Sequence, residues 1–265
     1  MPKCRTPKNP PFPWINKYNI SMATIKEAAK LLKNARYAVA FTGAGISVES
    51  GIAPFTGAGG LWNQYDPKFI EINFFEHHPK ESWQEMKKIF FTDMDEADPN
   101  AAHKVLAKLE QKGLLKGVIT QNIDGLHQKA GSKNVQEFHG TIKTLSCLSC
   151  GRKYQLEDVN LDDVPPLCFC GGVLKPDFVF YGEGIPVKAY QNSLEMAQNA
   201  DVMVIVGTAG QVMPACSLPL TAKQFGAQII EVNPQASAFT GSITDLYYPM
   251  KATEFFTELE KEMKL

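Results

Sequence analysis

The sequence predicts an α/β fold in which a Rossmann-like parallel sheet carries a helical insertion and a small cysteine-rich module. Three observations lead there. Apolar runs of strand length, such as Val202-Met203-Val204-Ile205-Val206, alternate with stretches of helical periodicity, the pattern of a parallel sheet covered on both faces. A glycine-rich turn, Gly43-Ala44-Gly45, follows the apolar run Tyr37-Ala38-Val39-Ala40, and glycines at such a junction let backbone N–H groups approach a ligand closely. Four of the six cysteines crowd between Cys147 and Cys170, in a segment that breaks the alternation.

The chain in order supports each element. Residues 1–19, with Pro2, Pro7, Pro10, Pro11 and Pro13, read as an irregular N-terminal arm. Thr24-x-x-Glu27 has the form of a capping box opening a helix with Ile25, Ala28, Ala29, Leu31 and Leu32 inward. The stretch Phe41 to Ile52 then turns, with a helix expected to begin at Ser47. Residues 52–98 loosen into aromatic-rich loops and short helices, such as Glu81 to Phe91, and form a cofactor-loop and helical insertion. Helical spacing returns from Asn100 to Lys112, and Gly117 to Thr120 and Val135 to His139 read as strands. Past the cysteines come a strand (Phe178 to Tyr181), a helix (Val187 to Asn199) and the strand at Val202. A helix (Pro214 to Phe225), a strand (Gln228 to Val232) and a helix (Thr253 to Met263) close the chain. The expected Rossmann-like domain is thus assembled from residues 20–51, 99–140 and 176–265, interrupted by the insertion at 52–98 and the cysteine module at 141–175.

Composition narrows the function classes. The 265 residues are 44% apolar and 21% charged, an ordinary globular balance. A formal net charge of −1 gives no electrostatic case for nucleic acid or an anionic membrane as an obligate partner. No apolar run approaches a membrane span, and Met1-Pro2-Lys3-Cys4 is not followed by a signal-peptide core, so a cytoplasmic location is expected.

In open parallel sheets ligands sit beyond the carboxyl ends of the strands. Gly43-Ala44-Gly45, Gln121-Asn122-Ile123-Asp124, Gly207-Thr208-Ala209 and Asn233-Pro234 all fall at such ends. Each alone is ordinary strand punctuation; four aimed at one edge favour a bound dinucleotide, although Val48 stands where a G-x-G-x-x-G fingerprint has its third glycine. Cys147-x-x-Cys150 and Cys168-x-Cys170 fit a closed tetrahedral structural zinc site, the alternative being buried thiol or redox pairs. Cys4 and Cys216 have no partners in that scheme. His139, beside Gly140 at the predicted cofactor edge, is a candidate base near neutral pH or a hydrogen-bonded structural residue. His77, His78, His103 and His127 are given structural or surface roles.

Together these residues resemble a family, the sirtuins, as a single catalytic core of bacterial or archaeal type. The resemblance rests on Gly43-Ala44-Gly45-Ile46-Ser47, Glu49-Ser50-Gly51-Ile52, Thr120 to His127, Phe138-His139-Gly140, the cysteine pairs, Lys175 to Glu183, and Val206-Gly207-Thr208 through Pro214. It implies a Rossmann-like domain and a small zinc-binding domain, with NAD as co-substrate and an acylated lysine of a peptide or protein meeting between them. It implies phosphate contacts from Gly43, Ala44, Gly45 and Ser47, and nicotinamide-ribose contacts from Gln121, Asn122 and Asp124, with Phe55 and Thr56 beside the cofactor. Gly207, Thr208, Ala209 and Asn233 would contact the adenosine half. His139 would act as general base with Asn122 in the catalytic pair. Ile123, Val179 and Tyr181, with Phe55, would wall the acyl-lysine tunnel, and Gly182, Glu183, Gln211 and Val212 would pair with the peptide backbone. The reaction would be NAD-dependent protein-lysine deacylation releasing nicotinamide and O-acyl-ADP-ribose.

Two departures stand out. The family reads Phe-Arg-Gly where this chain has Phe55-Thr56-Gly57, which removes a charge-assisted donor worth about 1.5–3 kcal/mol. That change leaves a protein ADP-ribosyltransferase or NAD hydrolase as the alternative, with a non-catalytic interaction module as a third. The Tyr-x-x-Arg pair of family members that prefer succinyl or malonyl lysine is replaced by Met86 and Ile89, so neutral acyl groups are expected.

Overall fold

A computed structural model of the chain describes residues 23–55, 59–91 and 97–265; the proline-rich arm and Thr56 lie outside them. In chain order the first elements are α1 (Ile25–Asn34), β1 (Ala38–Thr42), α2 (Ile72–His77), α3 (Pro79–Phe90), α4 (Ala101–Gln111), β2 (Val118–Thr120), α5 (Leu126–Lys129) and β3 (Val135–Glu137). Then follow β4 (Gly140–Cys147), β5 (Lys153–Gln155), β6 (Leu174–Phe178), α6 (Val187–Asn199), β7 (Val202–Val206), α7 (Ser217–Gln224), β8 (Gln228–Val232), β9 (Leu246–Tyr248) and α8 (Ala252–Met263). Six strands form a parallel sheet in the order β3-β2-β1-β7-β8-β9, and three form a second, antiparallel sheet in the order β5-β4-β6.

The large sheet is covered on both faces, and strand periodicity sorts its side chains. Ala38 and Ala40 of β1, with Val204 and Ile230, face α1, α4 and α8 through Leu32, Leu106 and Phe255. The alternate residues Val39 and Phe41, with Met203 and Ile205, face α6 and α7 through Met196 and Leu218. This two-residue alternation within uninterrupted apolar strands is what a doubly covered sheet requires. At the start of α1 the Glu27 carboxylate accepts the Thr24 N–H at 2.6 Å, which is the expected cap.

A third apolar cluster joins the insertion to the antiparallel sheet. Phe75, Trp83 and Phe90 from α2 and α3 pack with Leu145, Leu174 and Phe178 of β4 and β6. The Trp83 indole N–H donates to the Leu174 carbonyl at 2.8 Å. The two interruptions of the Rossmann-like pattern, far apart in sequence, therefore share one core.

Two local expectations are corrected. No α-helix begins at Ser47; Ala44–Ile46 and Val48–Ser50 are single 3-10 turns instead. The Ile46 carbonyl, which an α-helix would need, accepts the Asn100 side-chain amide at 2.7 Å, and Ser50 N–H turns to Ser47 O at 2.9 Å. The strand expected at Phe178 to Tyr181 ends at Phe178 and belongs to the small sheet. Beyond it Val179 N–H goes to His139 O and Tyr181 N–H to Ile70 O, so no single neighbour sustains a ladder. Strand β9, three residues at the sheet edge, escapes the sequence pattern altogether. Among the described residues no helix is long and apolar enough to cross a membrane.

Phe255 is fully buried, with its ring 4.7 Å from Tyr248 and 5.1 Å from Phe256. Phe255→Ala is expected to cost about 3–5 kcal/mol of unfolding free energy, measured by urea denaturation; a loss below about 1 kcal/mol would show that α8 does not brace the sheet.

Candidate active site and metal centre

Strands β1, β2 and β7 end level with one another, Thr42 opposite both Thr120 and Val206. Gly43, Gln121 and Gly207 therefore leave the sheet side by side, at the place where the chain order reverses between β1 and β7. Gly45 N–H donates to Gly207 O at 2.8 Å, and the two loops touch backbone to backbone. A Cβ at Gly45 would lie 2.6 Å from Gly207 Cα, and one at Gly207 would lie 2.4 Å from Ile46 N. Gly207 also has φ +62°, which L side chains rarely adopt. The glycines at these two positions are demanded by loop docking before any ligand is considered. Thr208 ties in the flanks: its hydroxyl accepts Gln121 Nε2 at 3.1 Å and its carbonyl accepts Asn233 Nδ2 at 3.0 Å. Ala209 follows, exposed, with its carbonyl taken by Ala238 N–H at 3.1 Å.

Below this edge lies a buried polar cluster centred on Ser47, which is wholly inaccessible. Ser47 Oγ donates to Asp124 Oδ2 at 2.7 Å and accepts Asn122 Nδ2 at 3.1 Å. Asn122 Nδ2 also donates to Gly43 O at 3.2 Å, which fixes the amide's orientation. Asp124 Oδ1 accepts Leu126 N–H at 2.9 Å. Burial pushes the Asp124 carboxyl above its usual range, against those hydrogen bonds and the Lys143 charge.

His103 and His127, expected in structural or surface roles, both lie in the interior, with their ring centroids 4.9 Å apart. His103 Nε2 is 3.5 Å from Ser47 Oγ, and His127 Nε2 is 2.9 Å from Thr42 Oγ1. Burial pulls His103 down to about 4 and His127 well below the usual histidine range, so both imidazoles are neutral. The only sequence signal for His103 was its place three residues after the helix cap Asn100.

His139 stands half-buried where β3 ends, and its Nδ1 is 3.1 Å from the Gln121 carbonyl. A carbonyl can only accept, so Nδ1 carries the proton and Nε2 keeps its lone pair. Burial lowers the His139 pKa below the ordinary histidine value, outweighing the opposite pull of the Gln121 bond. The imidazole is thus a neutral base at physiological pH.

Ala44, Ser47, Ile52, Phe55, Asn122 and Ile123 line one small pocket together with Asp124. Residues expected to touch the cofactor and two expected to wall the acyl tunnel, Phe55 and Ile123, are thereby brought together. Val179, Tyr181, Gln211 and Val212 do not line that pocket; Tyr181 and Val212 are each 50% exposed. Gly182 is exposed, whereas the Glu183 carboxylate turns inward to accept Phe180 N–H at 2.7 Å. Met86 and Ile89 are buried in the apolar cluster that also holds Ile123.

Cys147, Cys150, Cys168 and Cys170 converge, their four sulfurs all within 4.8 Å of one another. Cys147 and Cys170 sulfurs are 3.5 Å apart and those of Cys150 and Cys168 3.6 Å, close to the roughly 3.8 Å edge of a tetrahedron with Zn–S bonds of about 2.3 Å. Turns place them: Gly151 N–H donates to Cys147 O at 2.9 Å and Gly171 N–H to Cys168 O at 2.8 Å. Four thiolates leave no open position, so the set fits a structural zinc. Cys216 is buried apart from them.

A six-stranded parallel sheet with a polar, glycine-bearing carboxyl edge, carrying a four-cysteine sheet beside it, defines a Rossmann-type ligand-binding protein with an appended metal module. The Sir2 family model matches residues 43–214. The chain is 42% identical over 248 residues to an NAD-dependent protein deacylase of Aeropyrum pernix, covering 91% of this chain and 98% of that protein. It is 40% identical over 242 residues to an NAD-dependent protein deacetylase of Thermotoga maritima, covering 90% and 98%. Among solved structures, Sir2 with a p53 peptide and NAD+ superposes with a TM-score of 0.83 at 40% identity, covering 91% of this chain and 98% of that one. The chain belongs to the Sir2 family.

Gly207→Ala is expected to lower stability by at least about 1–3 kcal/mol, read from urea unfolding, because strain and a clash with the Gly45 loop coincide; an unchanged midpoint would mean that the loops do not need to touch. Cys147→Ser is expected to remove zinc from the purified protein, by elemental analysis, and to lower the melting temperature, since structural zinc contributes folding energy. Full zinc occupancy in that variant would rule out Cys147 as a ligand.

Proposed function

We propose that this protein is an NAD-dependent protein-lysine deacylase, acting first on acetyl-lysine, that releases nicotinamide and O-acyl-ADP-ribose. One observation carries the reading: His139 is a neutral imidazole whose proton is committed to the Gln121 carbonyl, which leaves Nε2 free to accept one. It stands at the same sheet edge as Asn122, Asp124 and Ser47. In the deacylation, the acyl oxygen attacks C1′ of the nicotinamide ribose as nicotinamide leaves. His139 then takes a proton from a ribose hydroxyl, whose oxygen attacks the acyl carbon; the lysine amine departs with a proton, and a water molecule adds to the acyl carbon to give O-acyl-ADP-ribose.

The remaining roles follow the family resemblance. The Gly43–Gly45 loop and Ser47 receive the phosphates; Gln121, Asn122 and Asp124 hold the nicotinamide ribose; Gly207, Thr208, Ala209 and Asn233 receive the adenosine half. Phe55, Ile123, Val179 and Tyr181 surround the lysine methylenes, while Gly182, Gln211 and Val212 meet the peptide backbone. Cys147, Cys150, Cys168 and Cys170 hold a zinc that braces the small domain and takes no part in the chemistry. We assign residues 141–175 to that domain, 52–98 to the insertion, and the rest from residue 20 to the Rossmann-like domain, and we place the protein in the cytoplasm. Met86 and Ile89 favour neutral acyl chains, because a carboxylate buried beside them would have no partner.

The test is incubation with NAD and an acetyl-lysine peptide, both products followed by mass spectrometry. Deacetylated peptide and O-acetyl-ADP-ribose are expected; ADP-ribosylated protein with the acetyl group untouched would overturn the reading. His139→Ala is expected to lower kcat/KM by about 10²–10⁴ with zinc retained, and an unchanged rate would remove His139 as the base. Because the His139 pKa is lowered, its neutral form persists below pH 6.5. The acidic limb of kcat/KM is therefore expected below that value; a limb above it would assign the base elsewhere.

A further inference from the structure

A buried ion pair that the reaction above does not use holds the segment between β6 and α6. Lys175, on β6, is 7% exposed. Its ammonium donates to Pro176 O at 2.9 Å and Phe178 O at 3.1 Å, and pairs with Glu183 Oε2 at 3.0 Å. It also lies 4.1 Å from the centroid of the Phe180 ring. The three ammonium protons are thereby all used. Glu183 Oε2 accepts Phe180 N–H at 2.7 Å, and Glu183 N–H donates to Phe180 O at 3.0 Å, closing a turn over Phe180–Glu183.

That turn meets three other parts of the molecule. Lys175 sits opposite Ser146 in the ladder of β4, next to the pair Cys147 and Leu174. Tyr181 N–H donates to Ile70 O at 2.8 Å and Ile72 N–H to Tyr181 O at 3.0 Å, which fastens the turn to the insertion. Val179 N–H donates to His139 O at 2.8 Å. Burying a charge pair is a poor way to gain stability, since desolvation consumes most of the attraction. What the pair adds that an apolar contact could not is direction: it fixes the Pro176 and Phe178 carbonyls and the Phe180 N–H individually. The outer part of the turn, Tyr181 and Gly182, stays exposed.

We propose that Lys175 and Glu183 are positioning residues for the acyl-peptide site, holding Val179–Gly182 in the conformation that receives the peptide without touching it themselves. The inference rests on the deacylase reading. It also changes the role expected for Glu183, from a direct substrate contact to a brace behind the contact surface.

The test is steady-state kinetics of the zinc-loaded wild type, Glu183→Gln, Lys175→Met and the double variant, with NAD and an acetyl-lysine peptide varied separately. Each single variant is expected to raise the peptide KM about tenfold while the NAD KM and zinc content stay at wild-type values. The double variant is expected nearer to wild type than Lys175→Met alone, because it leaves no unpaired buried charge. An unchanged peptide KM, or equal rises in both KM values, would overturn the proposal in favour of a purely structural pair. Should Lys175→Met fail to fold, Glu183→Gln, which keeps the shape of the side chain, decides the matter by itself. A wild type that turns over no acyl peptide would instead overturn the deacylase reading and this inference with it.

Discussion

The contact between the Gly43–Gly45 loop and Gly207 is the constraint on which the site depends. Two loops that leave adjacent parallel strands are pressed together with no side chain between them. That closeness sets where Ser47 enters the interior, and Ser47 in turn gathers Asn122 and Asp124 from the end of the next strand. Thr208, immediately after Gly207, reaches Gln121 on one side and Asn233 on the other. Four strand ends are thus linked through one backbone contact, and a single added methyl group would separate them.

Behind that edge the protein excludes water and keeps its histidines neutral. Burial lowers the pKa of both His103 and His127, and the neighbouring His103 lowers that of His127 further. A neutral ring offers one donor and one acceptor nitrogen, and at His103 the partners fix which is which. His103 Nδ1 lies 3.4 Å from Asn100 N–H, which can only donate, so His103 Nε2 carries the proton directed to Ser47. Ser47 is then left to donate to Asp124. The direction of the hydrogen bonds is settled from the α4 cap to the pocket wall, and this is the preorganisation a polar site needs if it is not to reorganise during reaction.

Much of this was legible in the sequence because periodicity and strand-end chemistry are local signals. The strands at Val202 and Gln228 and the helix at Val187 have the expected bounds, since each is long and strongly patterned. The four cysteines converge as their spacing implied. The losses came where a distant residue overrides local preference. Asn100 takes the Ile46 carbonyl and turns an expected α-helix into 3-10 turns. Val179 and Tyr181 answer to His139 and Ile70, so their apolar run is no strand. The burial of His103 and His127, and the shared core of α3 and β6, involve partners tens of residues away and leave no mark on the local pattern. Thr56, the least expected residue in the sequence, lies outside the described residues.

The charge balance of the pocket bears on how such a site would handle a dinucleotide. Among the described residues its lining carries apolar side chains, a hydroxyl, an amide and one carboxylate, Asp124, and no lysine or arginine. The N–H groups of Gly43, Gly45, Ile46 and Ser47 are already taken by the Val206, Gly207, Gly43 and Ala44 carbonyls, so under the proposed reading a pyrophosphate at this edge would meet neither a cation nor a row of free backbone donors. With Thr56 where the family pattern has arginine, the sequence offers one cation fewer beside the proposed cofactor site. Under the proposed reading, the loss of that cation would weigh most on affinity for the dinucleotide's phosphates and least on proton transfer at His139, whose tautomer is set separately by the Gln121 carbonyl.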